Sequence, residues 1–404
     1  MRLGAVGIGT SREAPNNIGI IPVTFNKTGI ASPETLLLLN GVGRGLTLEG
    51  NGIHDRTFID IPPGTEALSV SASGADAGQS ESLIIELYQV DFDNAFEDAP
   101  FVNFPPTDGG PLASASGANG SGPVLNVSGQ ILTPGRWFVV LKNTNANPAA
   151  VTVQADITST GDPLDVQFGL WEPSSRSNTH QGIDFNSTGD YRALLWYTYE
   201  EDGKPTWYQA AAVATGSNIV VAPLVRYTND GMKQQATPVG HVSITAIGET
   251  DLIFSWVLFG ESGSDRMFVL SSPNCPTIDD SKKSYDGLWS APAGRGGASG
   301  LVNTGAQAFV HYIYDDKGNP AWLTAAPEVQ SPTATEMRIL QWDGYCPNCS
   351  GEEPTFETVG VFSREFADEY NLTWTLDYDL VPPLSGTISR TDVTEKLTVH
   401  QVCN

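Results

Sequence analysis

The C-terminal half of this chain is written twice. Gly169-Leu170-Trp171 recurs as Gly287-Leu288-Trp289. The run Trp196-Tyr197-Thr198-Tyr199, followed by Gly203, Pro205 and Trp207, recurs as His311-Tyr312-Ile313-Tyr314 with Gly318, Pro320 and Trp322. Val239-Gly240 returns as Val359-Gly360, and Phe254-Ser255-Trp256 as Leu372-Thr373-Trp374. The order is kept and the offset stays at about 118 residues. Solenoid and propeller units run about 20–50 residues, whereas a unit of about 100 can bury its own core. Two homologous domains in tandem are therefore expected at 169–272 and 287–404, behind some 160 residues that lack the signature.

Short runs of Val, Thr, Tyr and Trp alternate with turn residues, and the chain holds 42 Gly and 27 Pro. That pattern reads as strands joined by tight turns, with no amphipathic helical period to set against it. Residues 1–49 read as an irregular leader and first strands. Residues 50–158 read as a small sandwich, with strands at 56–61, 67–71, 83–88, 124–127, 136–141 and 150–155. The expected fold is all-β: a jelly-roll-like sandwich followed by two tandem homologous antiparallel β domains.

In the repeated motif, residues 194–199 form a strand and 205–210 its return. Gly203 and Gly318 supply the positive φ of the turn, and Pro205 and Pro320 stand where a missing N–H does least harm. Alternation places Leu195, Tyr197 and Tyr199 on one face, and Leu194, Trp196 and Thr198 on the other. In the second copy Tyr312 and Tyr314 oppose His311 and Ile313. The paired tryptophans 171/289, 207/322 and 256/374 read as core, because small β domains depend on large aromatics. Trp196 faces away from the tyrosines and becomes His311 in the second copy, which reads as a part-exposed position. Trp196, Tyr197, Tyr199, His311, Tyr312 and Tyr314 are accordingly the ligand-binding candidates, as an aromatic platform for a polymer chain.

Two resemblances extend this reading. The segments Phe58-Ile59-Asp60-Ile61-Pro62-Pro63-Gly64 and Leu132-Thr133-Pro134-Gly135-Arg136-Trp137-Phe138-Val139 resemble the bacterial pre-peptidase C-terminal domain. That resemblance implies a jelly-roll-like sandwich appended to a secreted enzyme, often a protease, with no catalysis of its own. The two copies resemble an uncharacterised module of secreted proteobacterial proteins that opens with Gly-x-Trp and carries Trp-Tyr-x-Tyr-x-x-x-Gly-x-Pro-x-Trp. This second resemblance implies no activity.

The net charge is −25, spread along the chain. Phosphate backbones and anionic lipid surfaces would repel it, so neither nucleic acid nor membrane insertion is expected. Four cysteines, Cys275, Cys346, Cys349 and Cys403, all lie in the repeated half. Cys275 and Cys403 each follow the last strand of a copy, so Cys275–Cys403 and Cys346–Cys349 are the expected disulfides, which implies an oxidising compartment. A zinc site at Cys346-Pro347-Asn348-Cys349 would want two further ligands, and a redox motif a βαβ setting. The first ten residues lack a continuous apolar run, so any export signal is expected upstream of Met1.

The five histidines form no metal pair, and no Gly-x-Ser-x-Gly elbow is present. Asp91, Asp93, Asn94, Glu97 and Asp98 alternate after a core strand and are the candidates for binding Ca²⁺; the rival reading is a solvated acidic loop. The expected function is a secreted bacterial accessory region without catalysis, probing a polysaccharide or protein surface, attached to an exported parent enzyme such as a protease. The alternative is a secreted hydrolase with an unrecognised site between the two repeats.

Overall fold

A computed structural model describes residues 2–8, 19–25, 35–96, 105, 110–159, 163–398 and 403, apart from short segments at 175–178, 189, 215–216, 232, 271–274, 279, 293–294 and 350–352. Arg2–Ile8 pairs antiparallel with Gly19–Phe25, inside a compact unit spanning Met1–Glu34. The first of these strands departs from the expectation of an irregular leader. Its small, glycine-bearing sequence carries little strand signal, and the pairing itself satisfies its backbone. Everything from Thr35 to Asn404 forms a second unit.

The sandwich begins earlier than residue 50. One sheet runs Val124–Ser128, Thr65–Gly74, Ala149–Ser159, Arg44–Leu48. The other runs Leu36–Leu37, Thr57–Ile61, Gly135–Asn143, Leu83–Val90, Ala113–Ser116, with Ile53–His54 also paired to Gly135–Asn143. Trp137, Val139, Leu141, Ile59 and Ile61 point into the core between the sheets. Phe58 and Phe138 point the other way, onto Val257 of the next domain. Gly135–Asn143 is thus covered on both faces, which is why its central run from Trp137 to Leu141 is continuously apolar rather than alternating.

Each repeat is a closed eight-stranded antiparallel barrel. Barrel 1 runs from Gly169–Pro173 to Glu261–Val269, and barrel 2 from Gly287–Ser290 to Thr387–Lys396. Each strand pairs with the next, and the last closes on the first through Trp171 with Val269 and Trp289 with Lys396. Closure leaves neither barrel an open edge. The Cys275–Cys403 disulfide joins the segments that follow the two barrels, and Cys346–Cys349 closes a loop of barrel 2.

Strand register corrects one of the four sequence matches. Gly240 pairs with Leu258, whereas its counterpart Gly360 pairs with Tyr378. Phe254 and Trp374 therefore occupy equivalent positions, each opposite a buried aspartate, Asp265 or Asp392. Trp256 corresponds to Leu376, two residues nearer the barrel mouth. The Phe-Ser-Trp and Leu-Thr-Trp match was two residues out of step, because aromatic-polar-aromatic runs look alike at either register of a period-2 strand.

The repeated motif joins the two barrels. Trp207 donates its indole N–H to the Ile313 carbonyl at 3.1 Å, and Trp322 donates to the equivalent Thr198 carbonyl at 2.7 Å. Tyr312 and Tyr314 meet the Trp207 ring at 6.0 and 5.6 Å; Tyr197 and Tyr199 meet Trp322 at 5.6 and 5.3 Å. The turns dock reciprocally as well. The Gly203 carbonyl accepts from the Gly344 N–H, and the Gly318 carbonyl from the Asn229 N–H. A Cβ on Gly318 would lie 2.0 Å from the Asn229 carbonyl oxygen, and one on Gly203 2.3 Å from Asp343 Oδ1. These glycines serve the close approach as much as the turn, where φ is +78° and +85°. The contact is isologous, with each barrel offering the same patch to the other.

Candidate functional site

The aromatic candidates do not form a platform. Leu194 and Trp196 point into barrel 1; Leu195, Tyr197 and Tyr199 face barrel 2, as the alternation required. Trp196 is only 3% exposed, against the expectation of a part-exposed position. Its ring meets Tyr208, Phe254 and Trp256 at 5.7, 5.1 and 5.3 Å. His311 is likewise buried, 4.6 Å from the Phe362 ring, and burial holds its imidazole near pKa 3, neutral at any ordinary pH. The swap is tolerated through compensation. Barrel 1 places Trp196 and Val242 where barrel 2 places His311 and Phe362, a large-small pair against two middle-sized rings.

Tyr197 and Tyr312 are buried between the barrels, and desolvation drives both phenols well above their usual range. Tyr314 is part-buried, and its hydroxyl accepts from Gln234 at 2.6 Å. Glu172, on the barrel 1 strand that also carries Leu170, is pushed up to about 7 by burial. The centre of the face between the repeats is thus a packed aromatic layer.

The acidic loop is helical over Phe92–Phe96. Asp91 caps that turn, accepting from the Asn94 backbone N–H at 2.8 Å and its side-chain amide at 2.7 Å. Asp93 pairs with Arg266 at 2.6 Å. Glu97 and Asp98 lie outside the described residues. Among the described residues no three metal-ligating side chains come together.

A cavity of about 490 Å³ opens at the mouth of barrel 1, at the rim of the inter-barrel contact. Tyr199, Tyr208, Trp256 and Phe259 give it aromatic walls. Glu200, Glu201, Asp202, Arg226 and Glu261 give it charge. Cys346, Pro347 and Asn348 of barrel 2 reach across to close one side, with Asn348 donating to the Ser262 carbonyl at 3.3 Å. The site belongs to the first copy alone. Tyr208, Trp256, Phe259, Arg226 and Glu261 correspond by strand register to Leu323, Leu376, Asp379, Gln341 and Ile388.

Local structure holds these walls. The Trp256 indole lies over Gly263 of the neighbouring strand, where a Cβ would come within 2.3 Å of the ring. Phe259-Gly260 is the two-residue turn after Trp256, with φ of +52° and +93° at its two positions. Such turns favour Asn-Gly, so a phenylalanine there is held in a disfavoured conformation while 65% of it stays exposed. Tyr208 stands 6.5 Å from Phe259 with the rings nearly perpendicular at 74°. Burial first, and then Glu200, push the Tyr208 phenol up to about 12, so it remains a neutral donor.

No family model matches the chain, and no curated protein matches it. The reading of its function therefore rests on its own geometry.

Proposed function

We propose that this chain is a secreted, non-catalytic binding region, working beside or attached to an exported enzyme, and that the mouth of barrel 1 is where it binds. The observation that carries this reading is a set of three aromatic walls, Tyr208, Trp256 and Phe259, present in one copy and replaced in the other. What both copies share builds the barrels and their contact; the aromatics that only the first has line a cavity, beside the shared Tyr199. Concave aromatic walls with a few polar groups are the usual composition of a ligand site. Among the described lining residues there is no histidine and no serine, and the one cysteine is tied in a disulfide. The two disulfides suit an oxidising compartment, and no helix among the described residues is long and apolar enough to cross a membrane. The resemblance of the sandwich to the pre-peptidase C-terminal domain supports the accessory role.

The test is retention of the purified chain on immobilised proteins and insoluble polysaccharides, run beside an ester, peptide and glycoside turnover panel. Retention without turnover is expected, with retention lost in Phe259→Asn. Turnover abolished by a substitution in this cavity would contradict the proposal and favour a hydrolase.

A further inference from the structure

The charges on the cavity mouth say more about its occupant. Four carboxylates, Glu200, Glu201, Asp202 and Glu261, stand there with one guanidinium, Arg226. Arg226 is already engaged by Glu200 at 2.7 Å. Glu201, Asp202 and Glu261 are exposed and have no cationic partner among the described residues. The chain as a whole carries −25, so its long-range field gathers cations and turns away anionic polymers. Beside these acids stand the exposed Phe259 ring and, in the wall behind it, the largely buried Tyr208 and Trp256, with Tyr208 and Phe259 nearly perpendicular at 6.5 Å. Aromatic faces with acids nearby attract ammonium and guanidinium groups through the ring quadrupole.

Two further features narrow the class. Trp256 lines the cavity, and its buried indole N–H has no hydrogen-bond partner among the described residues. A buried donor left unpaired is costly, and a carbonyl oxygen brought in by a ligand would satisfy it. Both barrels are closed, so a partner chain has no sheet edge on either to extend and must be read through its side chains. A basic residue on a peptide supplies both requirements: a cation for the carboxylates and rings, and a carbonyl acceptor for the indole.

We propose that the mouth of barrel 1 binds a lysine or arginine side chain presented on a peptide segment of a partner protein. This rests on the reading of the chain as a binding region and names the ligand class of that same site. The cavity, at about 490 Å³, has room for the whole side chain and part of its backbone. The disulfide loop of barrel 2 forms the wall opposite the barrel 1 turns, so a bound segment would touch both barrels.

Isothermal titration of the full chain tests this with four probes. They are a capped Gly-Lys-Gly-Arg-Gly peptide, the same peptide with acetyl-lysine and citrulline in place of the basic residues, a glucosamine oligomer and a neutral cello-oligosaccharide. The basic peptide is expected to bind, and the neutral peptide to bind about tenfold more weakly or not at all. Affinity is expected to fall as salt rises, and to fall about tenfold in Phe259→Asn and in Glu261→Gln. Both substitutions are on exposed positions, and an unchanged melting temperature would show that the fold is intact. Equal binding of the two peptides would overturn the cation assignment while leaving a binding site. Binding of either oligosaccharide with the basic peptide silent would overturn the peptide assignment in the same way. Silence from every probe would overturn the assignment, and continued failure on the broader retention panel would take the binding reading with it.

Discussion

Replacing Trp322 with alanine is expected to destabilise the chain by about 3–5 kcal/mol, the range for truncating a fully buried tryptophan. Its side chain is wholly buried between the barrels, and its indole N–H donates to the Thr198 carbonyl at 2.7 Å. The substitution leaves a void among Tyr197, Tyr199 and the opposing strands, and removes the donor that carbonyl uses. Trp207→Ala is the two-fold counterpart and should lose a comparable amount, since Trp207 meets the Ile313 carbonyl in the same way. Chemical denaturation followed by circular dichroism measures both. A loss below about 1 kcal/mol at either position, the level of a surface substitution, would mean that the tryptophan is not packed between barrels.

Arg136→Met is expected to have a similarly large effect, through charge rather than volume. Arg136 is fully buried and makes a two-pronged ion pair with Asp60, both contacts at 2.9 Å. Its guanidinium also lies 4.0 Å over the Phe58 ring and donates to Ser264 of barrel 1 at 2.7 Å. Removing the cation leaves Asp60 buried and uncompensated, which costs about 3–5 kcal/mol. Adding Asp60→Leu should recover much of that loss, because replacing both partners leaves no buried charge unpaired. Denaturation midpoints of the single and double variants decide this. A double variant as unstable as the single one would show that the bidentate pair is not the source of the loss.

Much of the architecture was legible in the repeat. Four ordered matches marked two similar domains, short strands and turn residues marked them as β, and cysteine placement marked both disulfides. The alternation around Trp196 and Tyr197 divided the side chains correctly into two faces. What those faces looked onto was not legible. A barrel has an inside and an outside, and only the fold shows that the outside of one copy meets the outside of the other. Tyr197, Tyr199, Tyr312 and Tyr314 thus resemble a binding platform in sequence while most of their surface is spent on the partner barrel. The exposure expected of Trp196 fails for a related reason. Its exchange for His311 suggested tolerance through exposure, whereas the tolerance comes from Val242 and Phe362 on a strand far along the chain.

Of the cavity's walls the sequence marks only Tyr199 and the Cys346–Cys349 loop; the others come from turns and strands that meet only when the barrel closes. Tyr208 and Trp256 are separated by 48 positions, and nothing local links them. One signal was present. Phe259-Gly260 sits between two strand-like runs, where asparagine or aspartate before the glycine is usual. A bulky apolar residue at a solvent-facing turn suggests a use beyond folding. The Asp91–Asp98 segment shows the reverse case. Its acids are spaced like ligands, but of the two described aspartates Asp91 serves a helix cap and Asp93 an arginine from barrel 1.

The central claim is that the shared motif joins the barrels, which leaves the residues unique to the first copy free to line a site. Hydrogen exchange of the indole N–H protons of Trp207 and Trp322, in chain labelled with ¹⁵N-tryptophan, tests it most directly. Signals are assigned by replacing each tryptophan in turn with phenylalanine. If both indoles donate across the interface, their protons should survive in D₂O and exchange only with opening of the contact. Exchange of both at the rate of a free indole would place them in solvent, and would contradict the assignment of the repeated motif to the contact between the barrels.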